Sequence, residues 1–141
     1  MEKNQELLKH IYETAEMGNY SCKILLEDLK EKDNKIKKIL TEIQDDYQKF
    51  QEKVAKKLKE KPKKSTMSKM MASMGIRKEV KNDNSDSSMA EMLIQGLMMG
   101  NLETEKKTKA YEKTASSNEL DLAKDFLKFQ QKNIEKLKEY L

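Results

Sequence analysis

The chain has 141 residues, enough for one domain built around a single core, and its 29 Lys and Arg against 25 Asp and Glu leave a net charge of +4. Charged residues make up 38% and apolar ones 36%, a balance that favours disorder unless the apolar positions recur periodically, and here they recur at helical spacing. One Pro and four Gly starve tight turns and strands, no apolar run approaches the length of a membrane span, and the opening MEKNQELLK is charged. The expectation is an all-α cytoplasmic protein of one domain, residues 1–141, without a signal peptide. The lone Cys22 has no partner for an internal disulfide or a thiolate metal cage and reads as a small buried hydrophobe.

The first predicted helix covers about residues 3–31, with Leu8, Ile11, Tyr12, Ala15, Cys22, Leu25, Leu26 and Leu29 on one face. Asp33 and Asn34 interrupt it and offer cap oxygens to a second helix, about 34–61, whose stripe of Ile36, Leu40, Ile43, Tyr47, Phe50, Val54 and Leu58 alternates steps of four and three. Pro62 ends that helix and opens a crossover, residues 62–85. Within it Met67, Met70, Met71 and Met74 predict a short amphipathic helix, and the run Asn82 to Ser88 predicts the loop that follows.

A third long helix, about 86–115, starts with Ser87 or Ser88 as cap and carries Met92, Leu93, Leu97, Met99, Leu102 and Tyr111. After the turn Ser116, Ser117, Asn118 a fourth, about 119–140, places Leu120, Ala123, Phe126, Leu127, Ile134 and Leu137 on one side. Four segments of similar length joined tight, long and tight predict an antiparallel four-helix bundle with one long crossover between the second and third helices.

The stretch from Met89 to Leu141, reading MAEMLIQGLMMGNLE, then YEKTA, then FQQKNIEKLKEYL, resembles the C-terminal helical hairpin of small ferritin-like bacterial proteins. The resemblance implies a ferritin-like bundle, in whose metal-binding members carboxylates and Glu-x-x-His pairs converge on a di-iron centre. Where it would put the second such pair, this chain has Gln130 and Asn133, and Ile43 and Tyr47 occupy the comparable level of the second helix. Amide oxygens are weak iron ligands, so a conventional di-iron site is not expected and no cofactor is assigned. The residues left for a divergent metal or redox site are Glu16, Asp46, Glu103 and Gln130. The sole histidine, His10, has no carboxylate three residues before it.

Eight of the ten methionines fall between Met67 and Met99. Met67, Met70, Met71 and Met74 stack thioethers at a spacing that suits a partner surface, a core or, less readily, Cu(I). Residues 53–81 hold ten Lys and one Arg against Glu60 and Glu79, a strip open to nucleic acid or anionic lipid, although it lacks the aromatics or several arginines that nucleic-acid sites favour. Gly96 and Gly100 predict a close helix approach within the bundle or at a dimer seam. With no convergent acid, base or nucleophile, the functional expectation is a non-enzymatic protein-interaction or oligomerisation module. Its contact residues are Met67, Met70, Met71, Met74, Lys63, Lys64 and Lys69.

Overall fold

The computed structural model describes residues 2–60, 62–63 and 66–141. Among them are five helices and no strand: α1 (Glu2–Asp28), α2 (Lys37–Ala55), α3 (Thr66–Asn82), α4 (Asp86–Tyr111) and α5 (Ser117–Lys138). The all-α expectation holds. Lys61, Lys64 and Ser65, at the expected end of the second helix and in the crossover, lie outside the described residues.

α1 pairs with α2 and α4 with α5, and α1 also touches α3, α4 and α5. Contacts between helices fix their directions. Tyr47 of α2 reaches Gln130 of α5, while Lys57, just past α2, reaches Glu119 at the start of α5, so those two run antiparallel. His10 to Thr104 and Glu6 to Tyr111 set α1 against α4 in the same way. Because α2 and α4 therefore run in the same sense, the chain has to travel back between them, and α3 makes that return. Lys69 and Arg77 of α3 meet Glu16 and Asp28 of α1 in that order, which makes α3 parallel to α1.

The stripes read in the sequence build the core. Leu7, Leu8, Ile11, Ala15 and Leu25 of α1, Leu40, Ile43, Tyr47 and Val54 of α2, and Phe126, Ile134 and Leu137 of α5 are all buried. Each large apolar side chain removed from water contributes about 1.5–3 kcal/mol, which makes this stripe the main source of stability. Aromatic rings close the α2–α5 seam: Tyr47 lies edge-on to Phe129 at 4.9 Å, and Phe50 packs between Phe126 at 5.2 Å and Phe129 at 5.1 Å.

Several boundaries differ from the sequence expectation, each for a local reason. α2 begins at Lys37, and neither Asp33 nor Asn34 caps it; the cap position is Ile36, which has no side chain able to accept. The acceptor comes from elsewhere. The Asp86 carboxylate, in the first turn of α4, accepts from the backbone N–H of Lys35 at 3.1 Å and of Ile36 at 3.3 Å, and from Asn34 Nδ2 at 2.9 Å. α2 ends at Ala55, ahead of Pro62, because the chain tightens into i to i+3 bonds at Lys57 and Leu58 and Gln5 of α1 binds both Lys57 O and Lys59 N.

α3 runs for 17 residues, longer than the short helix expected, and includes Asn82 from the expected loop. α4 is capped by Ser85, whose hydroxyl accepts from Ser88 N, in place of Ser87 or Ser88. It stops at Tyr111, and α5 already starts at Ser117. Met99 and Leu102, expected on the inner stripe of α4, are 70% and 53% exposed. Leu97 is buried as expected, and the neighbouring inner positions belong to Ile94, Thr104 and Thr108, because α4 leans on α5 and leaves its other side open. Both threonines are tolerated inside because their hydroxyls donate to the carbonyls of Gly100 and Thr104.

Asp86 thus joins the α1–α2 turn to the start of α4. Asp86→Ala removes three accepted hydrogen bonds, and we expect it to lower stability by about 1–2 kcal/mol with helix content retained. The urea midpoint compared with the parent measures this; an unchanged midpoint would show that the carboxylate is not needed there.

Candidate functional site

α3 has two unlike faces. Ser73, Ile76 and Val80, spaced three and four apart, are buried, and on the same side Lys69 sits 3.6 Å from Glu16 and over the Tyr20 ring at 5.5 Å. Arg77 reaches Asp28 at 3.7 Å. These contacts fasten α3 to α1. Met67, Met70, Met71 and Met74 turn the other way and are 57–72% exposed. At 3.6 residues per turn, Lys78 and Lys81 continue the methionine row by one further turn. Both are exposed, and among the described residues neither forms an ion pair. Lys63 is exposed ahead of the helix, and Lys64 lies outside the described residues. Of the cations expected at the contact, Lys69 is committed to α1. Met98, Met99 and Leu102 give α4 a second exposed apolar row.

The four residues left for a metal do not gather at one point: Glu103 and Gln130 both border one hollow between α1 and α4, and Glu16 and Asp46 do not. Glu16 is held by Lys69, and Glu103 stands exposed beside Lys106 at 3.8 Å. Asp46 is half-buried on α2. Gln130 is buried at the centre, where its Oε1 accepts from Tyr47 Oη at 2.7 Å and its Nε2 donates to Asn101 Oδ1 at 2.7 Å. Among the described residues no three His, Cys, Asp or Glu side chains cluster as metal ligands would. Asn133, one turn further along α5, is buried with no partner for its Nδ2. His10 is engaged with the Thr104 hydroxyl at 2.9 Å; burial, followed by the charge of Lys107, lowers its pKa, so it is neutral at physiological pH.

A feature absent from the sequence reading is a hollow of about 430 Å³ between α1 and α4, floored by Ile43, Tyr47 and Leu137. Three glycines shape it. A Cβ on Gly18 would lie 2.4 Å from the Tyr47 ring, so that position must be bare for Tyr47 to pass beneath α1. Gly100 lets α4 approach α1, with Thr14 Cγ2 at 3.3 Å from the position of a Cβ. Gly96 behaves differently from the expectation of close packing. A Cβ there meets nothing within 4 Å, and the position widens the hollow. The glycines were visible in the sequence, but the direction each faces depends on the packing of two helices far apart in the chain.

Two outcomes follow from this geometry. Gly18→Ala forces the pinned Tyr47 ring to move, so we expect a loss of about 1–3 kcal/mol, whereas Gly96→Ala gains up to about 1 kcal/mol from helix propensity with no clash. Thermal melts of both variants measure the contrast, and equal effects would contradict the packing. The second outcome concerns pH. Burial pushes the Cys22 thiol from 9.0 up to about 12, and raises Tyr47 as well. The unfolded chain therefore gives up the Cys22 proton first. Stability should be undiminished below about pH 9 and then fall as pH rises from 9 towards 12, by about 1.4 kcal/mol per pH unit for this group. Urea melts at pH 8 and pH 10.5 should show a steeper loss for the parent than for Cys22→Ala, and parallel losses would refute the assignment.

No family model, curated protein or solved structure matches this chain.

Proposed function

We propose that the protein is a non-enzymatic helical module that binds a protein partner through the outward methionine face of α3. One observation carries this: the core is complete without Met67, Met70, Met71 and Met74, yet all four stand exposed together on one helix. Contiguous exposed apolar surface marks interaction sites, and unbranched thioether side chains adapt to a partner's contours. The cations frame the chemistry of that partner. Lys78 and Lys81 extend the row and Lys63 precedes it, while Glu79, the only acid of α3, accepts from Ser88 instead. A partner helix with an apolar stripe bordered by carboxylates fits this face. A two-fold contact with a second copy would bring the lysines against one another, which disfavours self-association there.

The reading keeps a ferritin-like arrangement for α1, α2, α4 and α5. Two antiparallel hairpins whose middle helices run in the same sense, linked by a returning segment, support it. A divergent metal site has less support: Glu16 and Glu103 pair with lysines and Gln130 with Tyr47, and neither Glu16 nor Asp46 lines the hollow that Glu103 and Gln130 share. Attachment to nucleic acid or anionic lipid through residues 53–81 has less support, because α3 itself carries no aromatic residue to interleave with its lysines.

The test replaces all four methionines by serine. Helix content and melting temperature should match the parent, since none of the four is buried. Affinity for an amphipathic Leu/Glu helical peptide, measured by titration calorimetry, should fall at least about tenfold, as burial of even one methionine is worth about 1.5–3 kcal/mol. A Leu/Lys peptide should not bind. Equal affinity of parent and variant would overturn the proposal, as would failure of the parent to bind the acidic peptide.

A further inference from the structure

The hollow between α1 and α4 is separate from the methionine face, since Met67, Met70, Met71 and Met74 do not line it. Its walls come from all five helices, with Ile76 the contribution of α3 and Tyr47 and Leu137 those of α2 and α5. Its floor is deep. Cys22, Ile43, Tyr47 and Leu137 are each no more than 2% exposed, so the hollow reaches the centre of the bundle, beyond a shallow groove on which a partner helix would rest. At about 430 Å³ it falls within the range of small-molecule sites, which in bundles occur between helices.

Most of the polar side chains around it are engaged with one another or with backbone. Tyr47 Oη donates to Gln130, whose amide donates to Asn101. His10 meets the Thr104 hydroxyl, and Thr14 Oγ1 donates to the His10 carbonyl. The two acids that reach the hollow, Glu13 and Glu103, each stand beside a lysine, Lys9 at 3.9 Å and Lys106 at 3.8 Å. The Ser21 hydroxyl, which also lines the hollow, forms no hydrogen bond among the described residues but is uncharged, so no unpaired charge is left for an ionised ligand to satisfy. An ionised group brought to the floor would lose its hydration without compensation, whereas an apolar body loses nothing. Met17, Met92 and Met99 supply flexible walls that adjust to its shape.

We propose that the hollow between α1 and α4 is a binding site for one uncharged, apolar small molecule, an aliphatic chain or ring system without an ionised head. The observations behind it are independent of the α3 face.

The test titrates the full chain with N-phenyl-1-naphthylamine, an uncharged fluorophore whose emission rises in apolar surroundings. A saturable rise at one probe per chain is expected, reversed by decanol. Decanoate and decylamine, which have similar tails but ionised heads, should compete at least about tenfold less well. Gly96→Leu, which places a side chain where a Cβ meets nothing, should abolish the signal without lowering the melting temperature. If the leucine variant melts early, Gly96→Met carries the same expectation. The variant with serine at positions 67, 70, 71 and 74 should bind the probe like the parent. Absence of saturable binding, binding that survives filling of the hollow, loss of binding in the serine variant, or equal competition by the charged amphiphiles would overturn the proposal.

Discussion

Everything in this bundle is arranged around one buried phenol. Tyr47 passes under α1 at the bare position of Gly18, stacks edge-on against Phe129, and donates its hydroxyl proton to Gln130. Gln130 in turn donates to Asn101, and Asn101 donates to the Leu127 carbonyl. This chain of donors runs from α2 through α5 to α4 and joins the two hairpins at mid-height. A buried amide costs several kcal/mol when unpaired but contributes a specific register when its groups are satisfied. Gln130 belongs to the second kind. Its side chain is part of the scaffold.

The sense of the helices then determines what remains exposed. Because α2 and α4 run in the same direction, a returning segment is unavoidable, and α3 fills that role by fastening Ile76, Val80 and two ion pairs to α1. A helix secured along one side has another side free. In α3 that free side carries four methionines in place of the polar residues usual on a solvated face. α4 leans on α5 in a similar way, which leaves Met98, Met99 and Leu102 outside and a hollow between α4 and α1. Both candidate sites therefore arise from the same topological requirement.

The periodic stripes of α1, α2 and α5 were legible because each buries a single face, so apolar spacing and burial coincide. α4 was less so. Its methionines and leucines recur on more than one side, and Thr104 and Thr108, polar in the sequence, go inside by bonding to their own helix. The helix ends were misplaced where the stabilising group comes from a distant residue, Asp86 for the start of α2 and Gln5 for its end. Gln130 and Asn133 were read as inward-facing amides, and both are buried. The hollow was not legible at all, since it depends on the relative placement of Gly18, Gly96 and Gly100 on two helices that only the tertiary fold brings together.

The central claim is that Gln130 serves the fold by binding Tyr47. A double-mutant cycle of Tyr47→Phe and Gln130→Leu, read from urea unfolding, tests it most directly. Each single change strands a buried partner, while the double change removes both groups. The claim predicts that the double variant is more stable than the sum of the single losses implies, with a coupling of about 1–2 kcal/mol. Strictly additive losses would contradict it and would detach the amide at position 130 from the hydrogen bond that joins the two hairpins.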